Sequence, residues 1–215
     1  MINNLFDIEN LQCEYFVYSF QNVNDFRSSF RSKFKYIIAY HGTNLTTEEL
    51  ESINNNGLRI STRDLIEKKA KHRFFKRNCN KHNNEIENYI SQYFNENELH
   101  TKDEINFGLI KSDIIQNYHY LLFGAESLLP LADFLRNKFH KPFRKILVET
   151  GSHYIIKVKI PIEKTDDKWI DLIYDYFHES DFPISLVHNY NLSAKNILKI
   201  EEVERPKDTQ NLISK

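Results

Sequence analysis

The chain has 215 residues, 40% of them hydrophobic, with 16 Phe and 12 Tyr, enough apolar mass for one domain with a real core. Its 29 Lys and Arg against 30 Asp and Glu leave a formal net charge of −1, which argues against a general polyanion binder. No apolar run approaches the roughly 18 residues of a membrane span, the first residues lack a signal-peptide pattern, and Cys13 and Cys79 are too few for a disulfide framework.

The expectation is a soluble, cytoplasmic, single domain over 1–215 without a membrane partner. It carries a helical insertion at about 62–117 and a frayed polar tail at about 206–215. Near the N-terminus, Phe16, Tyr18 and Phe20 alternate as in a strand, and Phe26, Phe30 and Phe34 recur at helical spacing. The apolar run Tyr36-Ile37-Ile38-Ala39-Tyr40-His41-Gly42-Thr43 predicts a buried strand ending in a polar corner, where Gly42 allows a sharp turn or close approach of a ligand. Thr46 and Glu49 have the spacing of a capping box, opening a helix with Leu50 and Ile53 on one face and Gly57 at its end.

Ser61 or Thr62 caps a second predicted helix through about Arg77, with Lys68, Lys69, Lys71, Arg73, Lys76 and Arg77 around Phe74 and Phe75. Such a patch either contacts the phosphates of a nucleic acid or dinucleotide, or is simply a solvated face. Cys79-Asn80-Lys81-His82, in a loop at 78–84, supplies too few ligands for zinc. Ile86, Tyr89, Ile90, Tyr93 and Phe94 form the stripe of an amphipathic helix. Thr101 and Glu104 repeat the capping-box spacing and predict a helix through Ile114 and Ile115.

His119 to Phe123 is a brief apolar segment broken at Gly124. A helix follows, with Leu128, Leu131, Ala132 and Leu135 inward and Pro130 in its first turn. Glu126 precedes that helix, where a carboxylate suits the dipole or faces the same cleft as His41. The remainder reads largely as sheet: Ile146 to Val148 and the alternating Tyr154, Ile156, Val158 and Ile160 suggest a hairpin. Trp169, Leu172, Ile173, Tyr176 and Phe177 suggest a helix, and Ile184–Tyr190 and Asn196–Glu204 two closing strands.

The His-Gly-Thr corner, the helix ending in Asn-Gly-Leu, Tyr120…Phe123-Gly124, the helix with Leu131-Ala132-Asp133-Phe134 and the β-rich end form a scattered pattern over about 36–204. This pattern resembles ADP-ribosyltransferase folds of the diphtheria-toxin and poly-ADP-ribose-polymerase type. The resemblance implies an α+β fold, a split β-sheet core with a helical insertion, and NAD as substrate. It implies that Gly42, in the Tyr40–Thr43 corner, holds the nicotinamide carboxamide, that His41 bonds a ribose hydroxyl, and that Tyr120 or Phe123, next to Gly124, stacks on the nicotinamide.

A glutamate would then stabilise the oxocarbenium-like transition state as the glycosidic bond breaks. That family carries it late, at the start of a strand, but Phe182-Pro183-Ile184-Ser185-Leu186 has no Glu in register. Glu126 is the first candidate, then Glu179 and Glu149. The implied activity is NAD-dependent ADP-ribosyl transfer or NAD glycohydrolysis, as a toxin or defence effector, with a protein or nucleic acid acceptor and an inhibitory or activating protein partner. The alternatives are a non-catalytic ligand-binding module and an RNA-directed, phosphate-processing transferase of related fold.

Overall fold

The computed structural model describes residues 4–75, 83–97, 103–116, 119–125, 127–179 and 183–205. In chain order the elements are β1 (Leu5–Phe6), α1 (Leu11–Tyr18), α2 (Val23–Lys33), β2 (Tyr36–Leu45), α3 (Thr47–Asn56), α4 (Arg63–Phe75), α5 (Asn83–Glu96) and β3 (Ile105–Gly108). They continue with α6 (Lys111–Gln116), α7 (His119–Phe123), α8 (Leu128–Phe139), α9 (Phe143–Glu149), β4 (Ser152–Pro161), α10 (Asp167–His178), β5 (Ser185–His188) and β6 (Ile197–Val203). The fold is α+β.

The strands form one sheet in the order β5-β3-β2-β4-β6 with antiparallel neighbours, and β1 pairs parallel with the start of β2. β2 is the organising strand. It pairs with β4 from Tyr36↔Pro161 to Leu45↔Ser152, so the expected corner at His41-Gly42-Thr43 is instead regular strand. Its ladder with β3 is much shorter, Tyr40↔Gly108 being the registered pair. Beyond that pair, the His41 side chain instead reaches the Asn106 carbonyl.

Alternation along β2 gives the two faces of the sheet different burdens. Ile37 and Ala39 join Ile156, Val158 and Ile160 in a core roofed by α2 and α10, while Ile38 and Tyr40 meet Leu121 and Ile155 on the other face. Phe26, Phe30 and Phe34 pack as their helical spacing predicts, with the Phe6 and Phe30 ring centroids 4.8 Å apart. Tilted and edge-on ring pairs of this kind suit the aromatic quadrupole. Trp169 of α10 packs against this core, its Nε1 buried with no hydrogen-bond partner among the described residues. Two bonds from Arg27 to the Asp171 carboxylate, 2.8 and 2.6 Å, lock α2 to α10.

A second core lies among α4, α5, α7, α8 and α9. Ile66, Ala70 and Phe74 meet Ile86, Ile90 and Phe94, and Leu128, Leu131, Ala132, Leu135, Phe143 and Leu147 complete it. The apolar stripe of α5 and the inward face of α8 are therefore where their spacing puts them. The capping box is formed in full, and Gly57 ends α3 by donating its N–H to Ile53 O at 2.8 Å. The strands expected near 154–160, 184–190 and 196–204 are β4, β5 and β6.

Other expectations are corrected. Residues around Phe16 and Tyr18 are helical, because Asn10 caps α1 by accepting the Gln12 N–H. Ile146 to Val148 belong to α9 and not to a hairpin strand: Phe143 and Leu147, four apart, bury one helical face. The helix expected from Thr101 and Glu104 gives way to β3, where Ile105 and Phe107 are buried on either side of Asn106, and helix resumes only at Lys111. The expected helical stretch at about 62–117 thus contains a strand of the main sheet. In α10 the buried stripe is Ile170, Ile173 and Tyr174, with Leu172 exposed. Lys76, Arg77, the Cys79–His82 spacing, Thr101 and the tail beyond 205 lie outside the described residues.

Candidate functional site

The odd-numbered residues at the end of β2 build the wall of a cleft of about 640 Å³. His41, Thr43 and Leu45 line it from the sheet, Glu48, Glu49 and Ser52 from α3, and Lys68, Lys69 and His72 from α4. Arg59, Ser61, Glu104, Asn106, Gly124, Ala125 and Ser127 also line it. The site draws on separated stretches of chain, held together because α3 follows directly on β2 and Arg73 of α4 binds Asn44 of β2 and Glu49 of α3.

His41 is held by its partner. Nδ1 lies 2.9 Å from the Asn106 carbonyl, and a carbonyl can only accept, so Nδ1 carries the proton. Nε2 is then the ring's acceptor, on a side chain that lines the cleft. Burial depresses the pKa of the imidazole; the Asn106 bond opposes this, and the Lys69 charge adds to it. The ring is neutral at neutral pH.

Behind the cleft sits a buried charge network. Arg73 is fully buried on the same stripe as Ile66, Ala70 and Phe74. Its Nη2 donates to Glu49 Oε2 at 2.6 Å, and its Nη1 to Asn44 Oδ1 at 3.0 Å, while Nη2 also reaches the Asn44 carbonyl. The Thr46 amide donates to the same Glu49 oxygen at 2.9 Å, and Lys69 Nζ stands 3.5 Å from the other. Burial would raise the Glu49 carboxyl, but Lys69, Arg73 and the Thr46 amide outweigh it and hold it down at about 2. Burial and the neighbouring Arg73 charge hold the Lys69 amine down at about 8, with Glu49 pulling the other way.

These shifts carry a pH consequence. A carboxyl held below its ordinary 4.5 contributes stability above that pH, and the contribution is lost as pH falls toward about 2. The stability gap between the native chain and Glu49→Gln should therefore narrow across that acid window. Urea midpoints taken down the pH scale check this, and a gap that stays constant would contradict the pairing.

The expected site residues divide between the two faces of β2. Thr43 lines the cleft, its hydroxyl 3.5 Å from the Gly124 carbonyl. Gly124, at φ +76°, also lines it; a Cβ there would sit 2.7 Å from the Asn44 carbonyl oxygen. Tyr40 is on the opposite face, buried with Ile38, Leu121 and Ile155, and its hydroxyl donates to Glu9 Oε2 at 2.9 Å. Gly42 is on that face too, where a Cβ would come 2.6 Å from Ile114 Cγ2. Its lack of a side chain therefore lets α6 and α7 pack on the sheet.

Phe123 is buried in the second core and is not among the cleft-lining side chains. The backbone of Tyr120 lies in α7, and its side chain is outside the described set. Glu126 is also outside it, between Ala125 and Ser127, which do line the cleft. Glu149 is exposed on α9, 3.7 Å from Lys145, and Glu179 is the exposed cap of α10; neither lines the cleft.

The carboxylates that do line it among the described residues are Glu48, Glu49 and Glu104. Their role was hidden in the sequence, where Glu49 and Glu104 stood only as capping-box partners. Arg73 had a visible signal: it falls seven residues after Ile66 and three after Ala70, on the apolar stripe, where a cation needs a buried partner. Among the described residues, no group of three His, Cys, Asp or Glu side chains could hold a metal ion. No protein-family model, curated protein or solved structure matches this chain.

Proposed function

We propose that the cleft binds NAD and that the chain catalyses ADP-ribosyl transfer or NAD glycohydrolysis. The observation that carries the reading is a neutral His41 in a cleft whose α4 wall supplies Lys68, Lys69 and His72. A ribose hydroxyl can donate to Nε2, and a cationic wall suits the donor's phosphates. The cleft volume falls in the usual range for nucleotide-sized ligands. His41, Thr43 and Gly124, the residues of the ADP-ribosyltransferase-like motifs that line the cleft, support the same reading.

In the reaction the bond from ribose C1′ to the nicotinamide nitrogen breaks, its electron pair leaves with nicotinamide, and a carboxylate stabilises the positive ribose carbon. Glu126 is the proposed carboxylate, with Glu104 next because it lines the cleft. An acceptor nucleophile, from a protein, a nucleic acid or water, then attacks C1′. A cytoplasmic toxin or defence effector restrained or activated by a protein partner fits this chemistry.

The test is nicotinamide release from NAD by the purified chain. His41→Ala should lower the rate by roughly 100-fold or more, with far-UV circular dichroism unchanged. Glu126→Gln and Glu104→Gln identify the acid by which of them also loses release. NAD binding without release makes the chain a binding module. The absence of both binding and release overturns the proposal. The same basic wall favours a second reading, a phosphate-processing transferase acting on RNA, which predicts salt-sensitive RNA binding without NAD consumption.

A further inference from the structure

We infer that Lys69, backed by the Arg73–Glu49 pair, is an anion subsite in the cleft wall that takes the pyrophosphate of a bound nucleotide. The inference rests on the nucleotide reading of the cleft and gives it a fixed point. It follows from charge and donor arithmetic in a buried place.

Two cations, Lys69 and Arg73, share the Glu49 carboxylate. Arg73 is closer, at 2.6 Å, and spends its remaining donors on Asn44 and the Leu147 carbonyl. One Glu49 oxygen also takes the Thr46 amide. Lys69 is left with the longer 3.5 Å approach, although an ammonium has three hydrogens to donate.

The other charges lining the cleft do not cancel the surplus: Arg59 and Lys68 offset Glu48 and Glu104, and His41 is neutral. His72 on α4 stands 3.9 Å from Glu48 of α3. Only 19% of the Lys69 side chain is exposed, so water compensates the excess poorly. A compact anion in the cleft would receive the spare ammonium donors and balance the charge. The tetrahedral oxygens of a phosphate suit a point charge on a flexible stem.

The depressed amine adds a readout that a purely structural lysine would not give. An anion beside Lys69 favours its charged form, so binding near pH 8 takes up protons from the buffer. ADP-ribose is a suitable probe because its phosphates carry no proton that titrates near that pH.

The experiment is isothermal titration of the full chain with ADP-ribose, adenosine and inorganic pyrophosphate, in two buffers of different ionisation enthalpy. Lys69→Met should weaken ADP-ribose roughly 10- to 100-fold and abolish the proton uptake, with adenosine unaffected. Lys71→Met should change nothing, since Lys71 pairs with Glu67 at 2.8 Å and is not among the cleft-lining residues. Lys69→Met leaves Glu49 and Arg73 paired one to one and keeps the apolar stem, so it should fold; the urea midpoint checks this. Pyrophosphate binding that depends on Lys69, without ADP-ribose binding, upholds the anion subsite and sinks the nucleotide reading. Equal ADP-ribose affinity in the native chain and Lys69→Met, or no binding of ADP-ribose or pyrophosphate, overturns the inference.

Discussion

Arg73→Ala should destabilise the fold by about 3–5 kcal/mol, the cost of breaking a buried ion pair from one side. Arg73 is fully buried, and its removal takes the nearer of two cations from the Glu49 carboxylate and leaves Asn44 Oδ1 and the Asn44 carbonyl without that donor. Against a typical total of about 5–15 kcal/mol, such a loss consumes much of the stability. Arg73→Met should recover packing volume but leave the same acceptors unsatisfied, so it should remain strongly destabilised. Adding Glu49→Gln to Arg73→Met should cost less than Glu49→Gln costs in the native chain, because the Arg73 pairing is already gone and only the Lys69 partnership remains to be lost. Urea unfolding of the four proteins closes the cycle. Strictly additive losses would mean that Arg73 and Glu49 do not depend on each other.

Gly57→Ala should cost about 3 kcal/mol, at the upper end for backbone strain. Gly57 sits at φ +84° and ψ −167°, a region essentially confined to glycine. A Cβ there would lie 1.9 Å from the Leu192 carbonyl oxygen and 2.6 Å from backbone atoms of Ser193 and Ala194. No rotamer change relieves a clash with backbone. The strain falls where Leu58 and Leu192 exchange two backbone bonds of 2.8 Å, which anchor the chain that carries Arg59 and Ser61 to the cleft. Gly42→Ala is the useful comparison. Its clash at 2.6 Å is with the Ile114 Cγ2 methyl, and its φ is not positive, so it meets side-chain and not backbone atoms and carries no backbone strain. Thermal or urea unfolding should rank Gly57→Ala as the worse variant, and the reverse order would contradict the geometry.

What could be read in the sequence was local. The run through Ile37 and Ile38 marked β2, Thr46 with Glu49 marked the start of α3, Gly57 its end, and Ile86, Ile90 and Phe94 the inner face of α5. Each signal lies within a few residues. Short apolar runs were ambiguous for the same reason: Ile146 to Val148 suit a strand until Phe143 joins Leu147 on a helical face. The candidate site was legible at His41, Thr43 and Gly124 and, as one reading of the basic patch, at Lys68 and Lys69. Glu48 and Glu104 entered because α3 follows directly on β2 and because β3 brings its preceding segment to the sheet. Strand parity then moved Tyr40 and Gly42 to the far face, a consequence of backbone period that the motif alone disguises.

Trp169 gives the molecule a one-sided optical reporter. It is the single tryptophan in the chain, it packs on the core under α10, and Lys168 Nζ stands 4.8 Å from its ring centroid. Its emission therefore follows the α2–α10 side of the sheet and has no counterpart in the helical core around Phe74 and Phe94. Far-UV circular dichroism follows the helices of both. Unfolding curves recorded by the two methods superimpose if the cores melt together, and separate if the helical core opens first.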